Sequence, residues 1–110
     1  MRNLARMFRR EAWYQQGDVL IKPVAYVPEA ASPVAGRVLA EGEATGHKHA
    51  AVAEDVRLFI LDGTLYMHAP TGTRLVHEEH HEQEIPPGTY LIDKVREYDH
   101  FAEEARPVLD

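Results

Sequence analysis

Apolar and polar residues alternate along this chain in short runs of period two, separated by glycine, proline and acidic turns, which predicts an antiparallel β-protein. Val19-Leu20-Ile21 is the first such run, introduced by Tyr14-Gln15-Gln16-Gly17-Asp18, in which Gly17 and Asp18 supply turn chemistry. Val24-Ala25-Tyr26-Val27 follows between Pro23 and Pro28. Proline cannot donate to a ladder, so this piece is expected at an edge or as an extended segment. Residues 28–36 read as a loop and 37–41 as a strand ended by Gly42; the chain then turns back through residues 43–49 into a strand reaching Ala53. The clearest strand is Val56-Arg57-Leu58-Phe59-Ile60-Leu61. Asp62-Gly63 after it is a strong hairpin signal, returning through Thr64-Leu65-Tyr66-Met67-His68.

Beyond the turn at Ala69-Pro70-Thr71-Gly72, a single strand is expected from Thr73 to about Ile85. Pro86-Pro87-Gly88 makes a corner before a last strand over residues 89–98. Roughly seven or eight strands with turns about every eight to twelve residues define an all-β antiparallel barrel or jelly-roll-like sandwich. Parallel α/β architecture is excluded, because no crossover helix separates the strands. Residues 2–13 have helical spacing, with Leu4, Met7, Phe8, Glu11 and Ala12 on one side and Arg2, Arg6 and Arg9 on the other, and read as a short helical or extended segment. The tail holds one helical turn or a draped coil around residues 101–105, stopped by Pro107. The expected organisation is a basic segment, 1–13, and a single β domain, 14–110.

Composition narrows the chemistry. A chain of 110 residues, 45% hydrophobic and 27% charged, is of ordinary globular type with one modest core. It has no cysteine, so disulfides and thiolate metal sites are excluded, and any transition-metal site must use imidazole and carboxylate. The net charge is −6. Arg2, Arg6, Arg9 and Arg10 against Glu11 give the first thirteen residues +3, so the remainder carries −9, which argues against nucleic acid as a partner. No apolar run approaches the roughly 20 residues of a membrane span, and no apolar leader with a small-residue cleavage site opens the chain. The expectation is a cytoplasmic protein with no membrane partner. Ser32, the only serine, sits in a proline loop outside any nucleophile elbow, and there is no phosphate-binding glycine loop.

Six of the seven histidines, His47, His49, His68, His77, His80 and His81, fall within 35 positions, and only His100 lies outside. Read as a strand, residues 75–85 put Leu75, His77, Glu79, His81, Gln83 and Ile85 on one face, with Val76, Glu78, His80, Glu82 and Glu84 on the solvated face. The first row begins and ends in apolar residues, so His77, Glu79 and His81 would point toward the sheet's interior. His47 and His49 share a face of another strand, and the two rows could converge on a divalent metal, zinc, iron, nickel or manganese alike. The competing reading is of solvated histidines hydrogen-bonded to carboxylates. Arg96 and Tyr98 share a face and could orient an anionic small-molecule substrate, or could tie a C-terminal strand to the acidic sheet.

Gly42, His47-x-His49, Glu54 and Gly63 resemble the first motif of the cupin superfamily, and Ile85-Pro86-Pro87-Gly88 is similar to its second. The resemblance implies a small β-barrel with a metal held by the His-x-His pair and Glu54. The histidine of the second motif would fall at Leu91, so His77 or His81 would have to replace it. Gln16-Gly17-Asp18-Val19, Gly42-Glu43-Ala44-Thr45-Gly46-His47-Lys48-His49, His77-Glu78-Glu79-His80, Pro87-Gly88-Thr89-Tyr90 and Arg96-Glu97-Tyr98-Asp99 also resemble a group of small bacterial proteins without an assigned activity. The expected function is thus a divalent-metal-binding β-barrel protein, a hydrolase or oxygenase if the metal keeps an open position. The alternative is a non-enzymatic self-assembling or adaptor protein with surface or interfacial histidines. As a class, a β domain of this size with open edge strands is expected to be a homo-oligomer.

Overall fold

The turn at Gly17-Asp18 starts the fold by folding Tyr14–Gln16 (β1) onto Val19–Val24 (β2), with Gly17 in the left-handed region at φ 59°. The computed structural model describes residues 12–95. Arg96, Tyr98, the helical spacing before residue 12 and the turn near 101–105 lie outside the described residues. Among the described residues there is no helix. The remaining strands are Ser32–Val34 (β3), Val38–Glu41 (β4), Lys48–Ala51 (β5), Arg57–Leu61 (β6), Thr64–Ala69 (β7), Thr73–Val76 (β8), Gln83–Ile85 (β9) and Gly88–Lys94 (β10).

These strands form two antiparallel sheets, a six-stranded one ordered β1-β2-β10-β7-β6-β3 and a four-stranded one ordered β4-β5-β8-β9. The ladders do not close on themselves, so the molecule is an all-β sandwich and not the closed barrel that the turn spacing also allowed. The chain crosses between sheets mostly in hairpins: β4 and β5 lie in the smaller sheet, β6 and β7 in the larger, β8 and β9 in the smaller again. Pro23 falls inside β2, opposite Tyr90 of β10. It is tolerated because β1 reaches only Ile21, so beyond that point β2 has one neighbour; of the edge or extended piece expected at Val24–Val27, only Val24 lies in a strand.

The two sheets share one core. Val19, Ile21, Leu58, Met67, Tyr90 and Ile92 of the larger sheet pack with Leu39, Ala51, Leu75 and Ile85 of the smaller. Each pair two residues apart on a strand, such as Val19 and Ile21 or Tyr90 and Ile92, sends both side chains to the same face, as the pleat requires. The phenol of Tyr90 donates to the Pro86 carbonyl at 2.6 Å, giving a buried polar tip its partner at the proline corner.

The largest departure from the expected elements lies between Thr73 and Ile85. One strand was expected there. The chain instead forms the hairpin β8–β9, with Thr73 opposite Ile85 and Leu75 opposite Gln83, and a loop over residues 77–82. Six consecutive histidines and acids offer no side chain suited to a buried pleat, whereas Thr73, Leu75 and Ile85 are all buried. Pairing the two ends keeps Leu75 and Ile85 in the core and leaves the charged run as a loop.

Candidate metal centre

The loop 77–82 lies against the start of β5, and this brings imidazoles from two elements together. A turn at residues 42–47 presents His47 immediately before β5, which carries His49. The Gly46 amide donates to the Gly42 carbonyl at 2.8 Å, the Gly42 amide to the His47 carbonyl at 2.9 Å, and the His47 amide to Thr45 Oγ1 at 3.0 Å. His49, one pleat further on, is turned inward and is only 5% exposed. The ring centroid of His77 lies 4.2 Å from that of His49, 4.4 Å from that of His80 and 5.6 Å from that of His47. His49 and His80 are near-parallel, 5.7 Å apart. Ligand nitrogens of His49, His77 and His80 all lie within 4.8 Å of one another.

A buried amide holds this arrangement. Gln16, 3% exposed, donates through Nε2 to the carbonyls of Leu75 at 3.0 Å and His81 at 2.9 Å, one on each side of the loop that carries His77 and His80. With both donors directed at carbonyls, Oε1 is left to accept from His49 Nδ1 at 2.8 Å. The His49 proton therefore sits on Nδ1 and Nε2 keeps its lone pair, the state of a metal-ready imidazole. Burial, reinforced by His77, lowers the His49 pKa from its usual 6.5 despite the opposing pull of Asp18, so the ring is neutral at neutral pH. Asp18 Oδ1 lies 3.9 Å from His49 Nε2, on the open side of the cluster.

The loop is fastened from the other side by Glu78. Its Oε1 accepts the Lys48 amide at 2.9 Å, and that backbone bond is the main cause lowering its carboxyl pKa below the usual value. Glu79 Oε2 lies 3.6 Å from His47 Nδ1, and the Glu79 amide donates to His77 Nδ1 at 3.0 Å. Taking up a metal through His77 requires that last bond to yield, because a neutral imidazole that coordinates through Nε2 carries its proton on Nδ1.

The cleft over the cluster measures about 170 Å³ and is lined by Asp18, His47, His49, His77, Glu79, His80 and Lys94, among others. A larger groove of about 750 Å³, on Tyr14, Thr73, Gln83 and Pro86, contains no histidine. The structure thus brings His47, His49, His77 and Glu79 to one cleft. His81 is exposed, and its contribution to the cluster is the carbonyl that Gln16 holds. Glu54 sits in the turn after β5, outside both groups of clustered donors. Sequence reasoning missed Gln16 and Asp18 and placed His80 on the solvated face. The residues themselves gave no sign of Gln16; the improbable length of a strand spanning residues 73–85 was the available signal for His80.

Fold and site together define a small β-sandwich protein with a cluster of histidines in a cleft. Residues 15–94 match the family described as Domain of unknown function (DUF8820), and the chain belongs to that family; no cupin family model matches it. The matched span takes in Gln16, both histidine groups and Lys94. No curated protein and no solved structure matches the chain.

Proposed function

We propose that the protein binds a divalent metal ion through His49, His77 and His80 and uses the open side of that ion to activate water or polarise a small bound ligand. The observation that carries this reading is the convergence of three imidazole nitrogens within 4.8 Å, one of them buried and fixed in its metal-ready tautomer by Gln16. On a tetrahedral ion with metal–nitrogen bonds of about 2.1 Å, ligand nitrogens stand roughly 3.4 Å apart. The cluster closes onto a metal by contracting about an ångström, within reach of side-chain rotation on a loop. Three imidazoles without sulfur suit zinc, iron, nickel or copper better than magnesium or calcium.

Three protein ligands leave a coordination position free, the arrangement of a catalytic rather than a structural ion. An ion held there would lower the pKa of a bound water toward neutrality. Asp18 supplies a carboxylate on the same side, as a fourth ligand or as the acceptor of that water's proton. The cleft volume restricts the ligand to a small molecule or to one group of a larger one. Hydrolysis is the chemistry for a redox-inert ion and oxygen chemistry that for iron. Cobalt(II) titration of the full chain tests the ligand set. Visible bands of a four-coordinate nitrogen site are expected in the wild type and in His81→Ala, and are expected to vanish in His49→Ala and His80→Ala. Bands that persist in the latter two variants would refute it.

A further inference from the structure

We infer that a second cation position adjoins the first, formed by His47, His77 and Glu78, so that the loop 77–82 and the stretch 47–49 together hold two divalent ions with His77 shared. This rests on the three-histidine reading above and extends it from one ion to two. Donor atoms of His47, His77 and Glu78 lie within 4.8 Å of one another, the same closeness as in the first group. The two groups are laid out alike. Each joins one histidine of the stretch 47–49 to loop residues, and each has a further carboxylate within 4 Å of that histidine: Asp18 Oδ1 at 3.9 Å from His49 Nε2, Glu79 Oε2 at 3.6 Å from His47 Nδ1.

His77 is the common member, its ring within 5.6 Å of the three other rings and closer to His49 and His80 than to His47. An imidazole has two nitrogens and can serve one ion with each, once the Glu79 amide gives up Nδ1 of His77 and the ring proton passes to solvent. Glu78 is exposed yet not free to swing, because the Lys48 amide holds its Oε1 at 2.9 Å. Charge favours the second ion as well. The ligands of the first group are all imidazoles, whereas the carboxylates of Glu78 and Glu79 lie beside His47, where a second divalent cation offsets their charge. Its mixed nitrogen and oxygen donors make this position harder and weaker than the first.

Isothermal titration of the full chain with zinc(II) decides the matter. The wild type is expected to bind two equivalents, a tighter and a weaker one. His47→Ala and Glu78→Gln are each expected to keep only the tighter one, and Glu78→Gln retains an acceptor for the Lys48 amide, so its fold is preserved. His77→Ala is expected to lose both, with an unchanged far-ultraviolet circular dichroism spectrum showing that the sandwich stays folded. A single equivalent in the wild type, untouched by His47→Ala and Glu78→Gln, would overturn the second position and leave the first standing. No bound zinc in the wild type would overturn both.

Discussion

At the scale of single residues, Gln16 has the widest reach, for one side-chain amide fixes a histidine on β5 and both ends of the β8–β9 loop. Gln16→Leu keeps the volume and removes all three bonds, leaving the Leu75 and His81 carbonyls and His49 Nδ1 to find other partners. Unsatisfied buried polar groups cost about 1–3 kcal/mol. Loss of an outer-shell partner typically weakens metal affinity about 10–100-fold. Thermal melts and zinc competition titrations of Gln16→Leu are expected to show both effects together. Destabilisation with unchanged affinity would mean that Gln16 is structural glue alone. This role was not legible from the residues: Gln16 precedes a Gly-Asp turn in the sequence, and nothing in that neighbourhood says its amide will reach a carbonyl 65 positions away.

At the scale of elements, the hairpin β8–β9 separates what the sequence discloses from what it hides. Turn chemistry located the hairpins β4–β5 and β6–β7, the latter through Asp62-Gly63, residues that tolerate positive φ, whereas β1 before Gly17-Asp18 was read only as a lead-in and β3 as part of a loop. The run His77-Glu78-Glu79-His80-His81-Glu82 contains no glycine, proline or asparagine, so a period-two reading passes straight through it. A strand grouping selects His77, Glu79 and His81; the loop instead sets His77 beside His80, three positions on. The β1–β2 turn then meets this loop closely. A methyl group built on Gly17 would stand 2.6 Å from His80 Nε2, on a backbone already at positive φ. Gly17→Ala is expected to cost about 1–2 kcal/mol from the left-handed backbone alone and to displace His80 as well. Gly63→Ala, also at positive φ but with nothing within 4 Å, is the control. Comparable loss of stability in both variants with weakened zinc binding only in Gly17→Ala is the expected result, read by denaturant melts and zinc titration; equal zinc affinity in the two would contradict the placement of His80.

At the scale of the whole molecule, alternation and turn chemistry conveyed an all-β antiparallel architecture but could not choose between a closed barrel and two stacked sheets. That choice depends on whether the edge strands meet, which is a property of long-range pairing that no local pattern records. The edges here are β1 and β3 in one sheet and β4 and β9 in the other, and Gln16 ties the β1 edge to the β8–β9 loop through side-chain rather than ladder bonds. The core of Ile21, Leu58, Met67 and Leu75 lies between the sheets. On the loop, His77 is half-buried and His80 exposed, and neither belongs to that core. No helix among the described residues is long and apolar enough to cross a membrane.

Every functional role proposed for this protein depends on a metal at the histidine cluster. Elemental analysis of untagged protein, purified without chelator and run beside His49→Ala and His80→Ala, is the most direct measurement of it. The expected result is at least one equivalent of a transition metal in the wild type, sharply reduced in each variant while both remain folded. A metal-free wild type, or metal retained in full by both variants, would contradict it.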